Sequence, residues 1–204
     1  MALVLYFNLL TVLFFVLIWI GIVTFFWFKK KQSLIFLTFL TLFYVYIVKV
    51  LDYTLFQFQS LLLLKHFMPN LILRGQEANK AINIIPLILS PQDLITSLLN
   101  IILMIPFGFL LPFITNFSMK KIIIIGALFS IAIELLQLTT GLMAKITFRI
   151  ADINDVIFNT FGVAVGYILF IGFMRIFRQA LPTNEKSKNP ILRYITNRPQ
   201  IDKK

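Results

Sequence analysis

Apolar runs of about twenty residues alternate with short polar clusters along the whole chain. Residues 2–28 carry no charged side chain, and at about 1.5 Å per residue that is long enough to cross a bilayer with some tilt. The run lacks the basic start, short apolar core and small-residue cleavage site of a secretory signal, so an uncleaved helix is expected. It stops at Lys29, Lys30 and Lys31. Residues 33–55 predict a second span, interrupted near its end by Lys49 and Asp52. Residues 56–94 are mixed, with Lys65, His66, Pro69, Arg74, Gly75, Glu77 and Lys80 among short apolar runs. They read as a long loop with interfacial or re-entrant pieces. Residues 95–114, 122–142 and 156–173 predict three further spans, and a polar tail follows. No internal repeat is visible, so an inverted-repeat transporter gains no support.

Within the spans the polar residues keep a helical period. The fourth has Gly126, Ser130, Glu134, Gln137 and Gly141 at spacings of 4, 4, 3 and 4. The fifth opens with Asp152, Asp155, Asn159, Gly162 and Gly166 at 3, 4, 3 and 4. The third offers Ser97, Asn100, Met104 and Gly108, and the second Tyr46, Lys49 and Tyr53. Each set lies on one helix face. Hydrocarbon cannot satisfy such faces, so they are expected to point at one another.

Composition strengthens this all-α, polytopic reading. Of 204 residues, 59% are hydrophobic and 13% charged, about half the charge of a soluble domain, and the mean hydropathy is +0.92. A disordered chain requires the opposite balance, and a disulfide scaffold requires cysteine, of which there is none. The net charge of +11 suggests nucleic acid until the basic residues are located. They cluster between the apolar runs, as topology signals do. With the N-terminus outside, 13 of 19 face the cytoplasm: Lys29–Lys31, Lys120, Lys121 and eight from Arg175 to Lys204. Five (Lys65, Arg74, Lys80, Lys145 and Arg149) face outward, and Lys49 lies within a span. The positive-inside bias therefore favours five spans, N-out and C-in. The bundle is expected over residues 1–173. A basic tail over 174–204, broken by Pro182, Pro190 and Pro199, is expected to lie disordered against anionic inner-leaflet lipids, with no nucleic-acid partner.

Counting from mid-span places Glu134 about 3 Å and Gln137 about 8 Å toward the outside, with Asn100, Asn159 and Lys49 at about 7–9 Å. Asp152, Asp155 and Arg149 fall at or above the outer interface. All the costly groups thus converge on one half of the bundle. Gly126, Gly162 and Gly166 read first as close-packing positions, and Asn100, Asn159, Gln137 and Ser130 as interhelical hydrogen-bonding groups. Glu134 differs, because an ionisable group near the midplane costs about 2.5 kcal/mol or more and is functional by default. Lys49 and Arg149 are its plainest partners. Lys49 is equally compatible with an i,i+3 pair to Asp52 that snorkels to the interface. His66 reads as an interfacial loop residue rather than a ligand.

Four pieces in series carry a resemblance. They are Asn83-Ile84-Ile85-Pro86-Leu87; Asn100 through Pro106-Phe107-Gly108 to Pro112; Ile133-Glu134 with Gln137; and Arg149 through Asp152, Asn154, Asp155 and Asn159 to Gly162, Gly166 and Tyr167. In this order and spacing, over residues 74–167, the chain resembles the VanZ-like membrane proteins, with Arg74 in the place of an arginine ahead of the Asn-x-x-Pro element. The resemblance implies an accessory protein of the Gram-positive cell envelope, linked to resistance to teicoplanin-type glycopeptides and, for relatives, lipoglycopeptides. It implies no defined reaction.

Two functions follow. In the first, an outer-leaflet pocket engages a membrane lipid head group or a lipid-linked cell-wall precursor. Arg74 and Arg149 would take a phosphate or carboxylate, and Asn83, Asn100 and Asn159 would orient it. Glu134 and Asp155 would fix the arginines or bind an ammonium, with Gln137 and Asp152 completing the cluster. In the second, Glu134 with Asp152 or Asp155 forms an acid–base pair, with or without a divalent metal, acting on an envelope lipid. No nucleophile, zinc motif or cofactor motif accompanies that pair, so the reading leans away from an enzyme, and no cofactor or metal is expected. A transporter would need a polar path to the inner side, which the spans lack.

Overall fold

The computed structural model describes residues 9–56, 82–86, 91–144, 151–180 and 189–197. Among these, five helices are long and apolar enough to cross a membrane: Thr11–Lys29, Leu34–Thr54, Asp93–Ile114, Met119–Thr140 and Ile153–Gln179. In full, α1 is Leu9–Thr24, loosening into a π-turn over Phe25–Lys29. Lys31 turns the chain at φ 49°, and Ser33 caps α2 (Leu34–Leu51) by accepting from Phe36 N at 3.2 Å. A second π-turn, Asp52–Phe56, closes that span. α3 is Pro91–Ile114, α4 is Met119–Ala144 and α5 is Ile153–Ala180. The four-residue link from Thr115 to Ser118 makes α3 and α4 antiparallel neighbours.

The closest pair is α3 with α5, and glycine explains it. A Cβ at Gly166 would collide with the Ile105 carbonyl of α3, one at Gly162 with the Ile101 carbonyl, and one at Gly108 with the Val163 carbonyl of α5. The two backbones therefore meet directly, which lets packing forces act where lipid gives apolar side chains no reason to associate. On the other side of Val163, Gly126 of α4 would place a Cβ 2.6 Å from the valine Cγ2. Val163, Met104 and Ile122 are fully buried in the resulting core. Toward one end the core turns aromatic: Phe39 of α2 stacks on Phe113 at 4.4 Å, and Phe113 meets Phe170 edge-on at 5.0 Å. α1 lies outermost against α2, tied by Trp19 Nε1 donating to Thr41 Oγ1 and Tyr44 Oη donating to the Phe15 carbonyl. None of its span is buried, as expected of a lipid-facing helix. Pro106 and Pro112 sit within α3, and Tyr46 Oη donates to the Leu103 carbonyl at 2.8 Å beside the first of them.

The structure departs from the sequence reading in three places. The fifth span begins before residue 156, because Asp152 caps the helix by accepting from Asn154 N at 2.8 Å. Second, the polar face expected on α2 does not form: Tyr46 points inward, but the side chain of Lys49 is 68% exposed and pairs with Asp52 at 3.3 Å, while Val50 and, in the π-turn, Thr54 are buried at this end of the span. Lys49 has a stem long enough to leave the bundle, so it is not the partner of Glu134.

Third, the described part of the tail is helical rather than disordered. α5 continues to Ala180, and α6 (Pro190–Thr196) follows, opened by Asn189 accepting from Ile191 N and by Pro190 at its first position. Such a pair starts a helix efficiently, since proline lacks only an N–H that would go unused. Ile191, Tyr194 and Ile195 share one face. Ile195 is buried, Tyr194 Oη donates to the Phe113 carbonyl at 2.7 Å, and Arg178 Nη2 donates to the Thr196 carbonyl.

Candidate functional site

The end of the bundle away from α6 gathers most of the polar residues singled out above. Two strands of two residues organise it. β1 (Ile82–Asn83) pairs in parallel with β2 (Ala151–Asp152), with Asn83 opposite Asp152. This backbone tie joins the segment before α3 to the segment before α5. Asn83 Nδ2 then donates to Asp152 Oδ1 at 3.1 Å, and Asn83 Oδ1 accepts from Ile85 N at 3.1 Å. The same Asp152 oxygen caps α5. Its backbone N–H points the other way, donating to Glu134 Oε2 of α4 at 3.2 Å. One aspartate thus links β1, α4 and α5.

A turn deeper, Asn100 Nδ2 of α3 donates to Asp155 Oδ1 at 2.6 Å, and Asn159 Nδ2 of α5 donates to Ser130 Oγ of α4 at 2.8 Å. Gln137 Nε2 donates to the Thr54 carbonyl at 2.9 Å. That carbonyl orients the amide, because only the NH₂ side of Gln137 can face an acceptor. Glu134, Gln137, Asn100, Asn159 and Ser130 are all buried, Ser130 completely. The faces of α3, α4 and α5 that the spacing predicts therefore do converge.

The cluster is rich in acceptors. Three carboxylates (Glu134, Asp152 and Asp155) are each held by an N–H donor. Beside them, Gln137 Oε1 and Asn159 Oδ1 are buried with no hydrogen-bond partner among the described residues. An unsatisfied buried acceptor costs about 1–3 kcal/mol, so both atoms call for a donor such as water, hydroxyl, ammonium or amide N–H. Among the described residues, no group of three or more His, Cys, Asp or Glu is placed to hold a metal ion. Arg74 and Arg149 lie outside the described residues.

Two members of the network, Thr54 and Asn154, are not among the site residues that the sequence singles out. Thr54 contributes its main-chain carbonyl, which carries no side-chain signature. Asn154 is 3% exposed, although its place in Asp152-x-Asn154-Asp155 marks it in retrospect as the residue inside the cap.

The model of the VanZ/LLP1 family matches residues 12–178, which covers all but the terminal residues of the five spans. No curated protein and no solved structure matches the chain.

Proposed function

Taking as premise that the chain belongs to the VanZ/LLP1 family, we propose that it lowers susceptibility to glycopeptide and lipoglycopeptide antibiotics such as teicoplanin. It does so as an accessory envelope protein whose polar cluster, open to the extracytoplasmic side, engages a lipid head group or a lipid-linked cell-wall precursor. The observation that carries this reading is the pair of unpartnered buried acceptors, Gln137 Oε1 and Asn159 Oδ1, set beside three carboxylates at one end of the bundle. Precursors of this kind bear hydroxyls, amide N–H groups and amines, the kinds of donor that Gln137 Oε1 and Asn159 Oδ1 lack among the described residues. Arg74 and Arg149 belong to the segments leading to Asn83 and Asp152, and in this reading they take the phosphate or carboxylate of the same ligand. Holding the precursor there would withdraw it from an antibiotic that approaches from outside.

The orientation rests on charge. Lys29–Lys31, Lys120 and Lys121 all lie at the end opposite the cluster, and an end enriched in Lys and Arg is retained in the cytoplasm.

Glu134→Gln and Arg149→Lys test the reading directly. Gln keeps the size of Glu134 but not its charge, and Lys keeps the charge of Arg149 but not its planar fork. At equal expression, each variant is expected to restore glycopeptide susceptibility to that of cells without the protein. If both protect as well as the wild type, the cluster serves only to pack helices.

A further inference from the structure

The opposite end of the bundle holds a concavity with polar lining residues. α6 folds back over the start of α2 and the link between α3 and α4, leaving a cleft of about 350 Å³ lined by Ser33, Asn116, Arg193, Tyr194 and Asn197, among others. Its walls are fixed. Tyr194 donates to the Phe113 carbonyl and stacks on Phe39 at 5.9 Å, and Phe39 stacks on Phe113 in turn.

The electrical setting is one-sided. Lys29, Lys30, Lys31, Lys120, Lys121, Arg175, Arg178 and Arg193 all lie at this end, whereas every described carboxylate (Asp52, Asp93, Glu134, Asp152 and Asp155) belongs to the other. Arg193 has no ion pair or side-chain hydrogen bond among the described residues, the only ion pair there being Lys49 with Asp52. Lys29 and Lys121 each lie over an exposed phenylalanine ring, Phe25 and Phe117, at 5.9 and 5.8 Å. That arrangement suits the head-group layer, where one face of a side chain is wet and the other apolar.

We propose that this cleft binds the phosphate of an anionic phospholipid from the adjoining leaflet, with the Arg193 guanidinium as the principal contact and the amides of Asn116 and Asn197 beside it. A guanidinium matches phosphate oxygens two at a time, and the cleft volume falls in the range of small-ligand sites, about 300–1,000 Å³. Positive charge spread over a surface concentrates anionic lipid without choosing a place for it. A cleft with one unpaired guanidinium retains a single lipid. Because α6 forms one wall, the bound lipid would also hold α6 against the bundle.

The site is independent of the acidic cluster, and each can fail without the other. The test uses the full-length protein in detergent, offered equal amounts of phosphatidylglycerol and phosphatidylcholine of the same chain length, with bound lipid counted by native mass spectrometry. The wild type is expected to retain one phosphatidylglycerol in preference to phosphatidylcholine. Arg193→Gln is expected to lower that occupancy about fivefold, the effect of removing one basic contact near a membrane surface. Arg193→Lys should retain part of it, and Arg175→Gln, an exposed basic residue outside the cleft, should leave it unchanged. Equal loss from Arg193→Gln and Arg175→Gln would show diffuse attraction and overturn the site. So would wild-type retention by Arg193→Gln, or equal uptake of phosphatidylcholine. Full displacement by millimolar inorganic phosphate would assign the cleft to free phosphate and overturn the lipid assignment.

Discussion

Gly166→Leu is expected to abolish the monodisperse folded protein, whereas Gly172→Leu, less than two turns along the same helix, is expected to behave as the wild type. At Gly166 even a Cβ would collide with the Ile105 carbonyl and come within 3.0 Å of the Phe109 amide. Both are main-chain atoms of α3 and cannot rotate away as a side chain does. Leucine there must push α5 off α3, and the separation would propagate to Gly162 and Gly108, which make the same kind of contact. Overpacking in a well-packed core typically costs about 1–3 kcal/mol; parting two backbones along three contact points exceeds that range. At Gly172 nothing lies within 4 Å of the added atom, so a side chain there has open space to enter. Size-exclusion profiles and thermal aggregation of the detergent-solubilised variants check the pair. A monodisperse, heat-stable Gly166→Leu would mean that α3 and α5 are not in backbone contact.

The second large effect is expected at Asp152. Asp152→Ala removes the cap of α5, worth about 0.5–2 kcal/mol, and breaks the half-buried hydrogen bond from the Asn83 amide, a loss of about 0.5–1.5 kcal/mol. The two effects share one oxygen, so about 2–3 kcal/mol together is expected. Asp152→Asn preserves a capping oxygen and should lose little stability. A thermal unfolding series reads both variants. An Asp152→Ala protein as stable as the wild type would show that the β1–β2 tie holds the site without the side chain.

How far the sequence makes this arrangement legible depends on what lipid permits. The inner faces of α3, α4 and α5 are readable because Asn100, Glu134, Gln137 and Asn159 have nowhere else to go: hydrocarbon offers them no partner. The glycine contacts are readable for a related reason, since small residues at a four-residue spacing are what close helix approach requires. α2 is misleading because Lys49 is charged yet near a helix end, where its stem reaches the interface and its ammonium meets Asp52. Its buried face is marked instead by Val50 and Thr54, which look unremarkable in a run of β-branched residues. α6 is hidden by composition. Seven residues in a stretch rich in Lys, Arg, Asn and Pro show little hydropathy, and the only signals are the Asn189-Pro190 start and the spacing of Ile191, Tyr194 and Ile195. The two-residue strands are too short for any periodicity to reveal them, yet they bring Asn83 to Asp152.

The bundle is therefore polar in two senses. One end carries the described carboxylates and their amide partners, the other the clustered cations, with a glycine-packed apolar core between. In the function proposed above, the acidic end meets the precursor and the basic end sets the orientation that makes this possible.

The most direct test of the central claim is the lipid carried by the protein itself. Wild type and Glu134→Gln, expressed equally in a Gram-positive host and extracted in mild detergent, are compared by mass spectrometry of the co-purified lipid. The account predicts a lipid-linked cell-wall precursor enriched over its membrane proportion in the wild type. That enrichment should fall about tenfold in Glu134→Gln, as expected on loss of a hydrogen bond to a charged group. The same lipids in the same proportions from both proteins would contradict it.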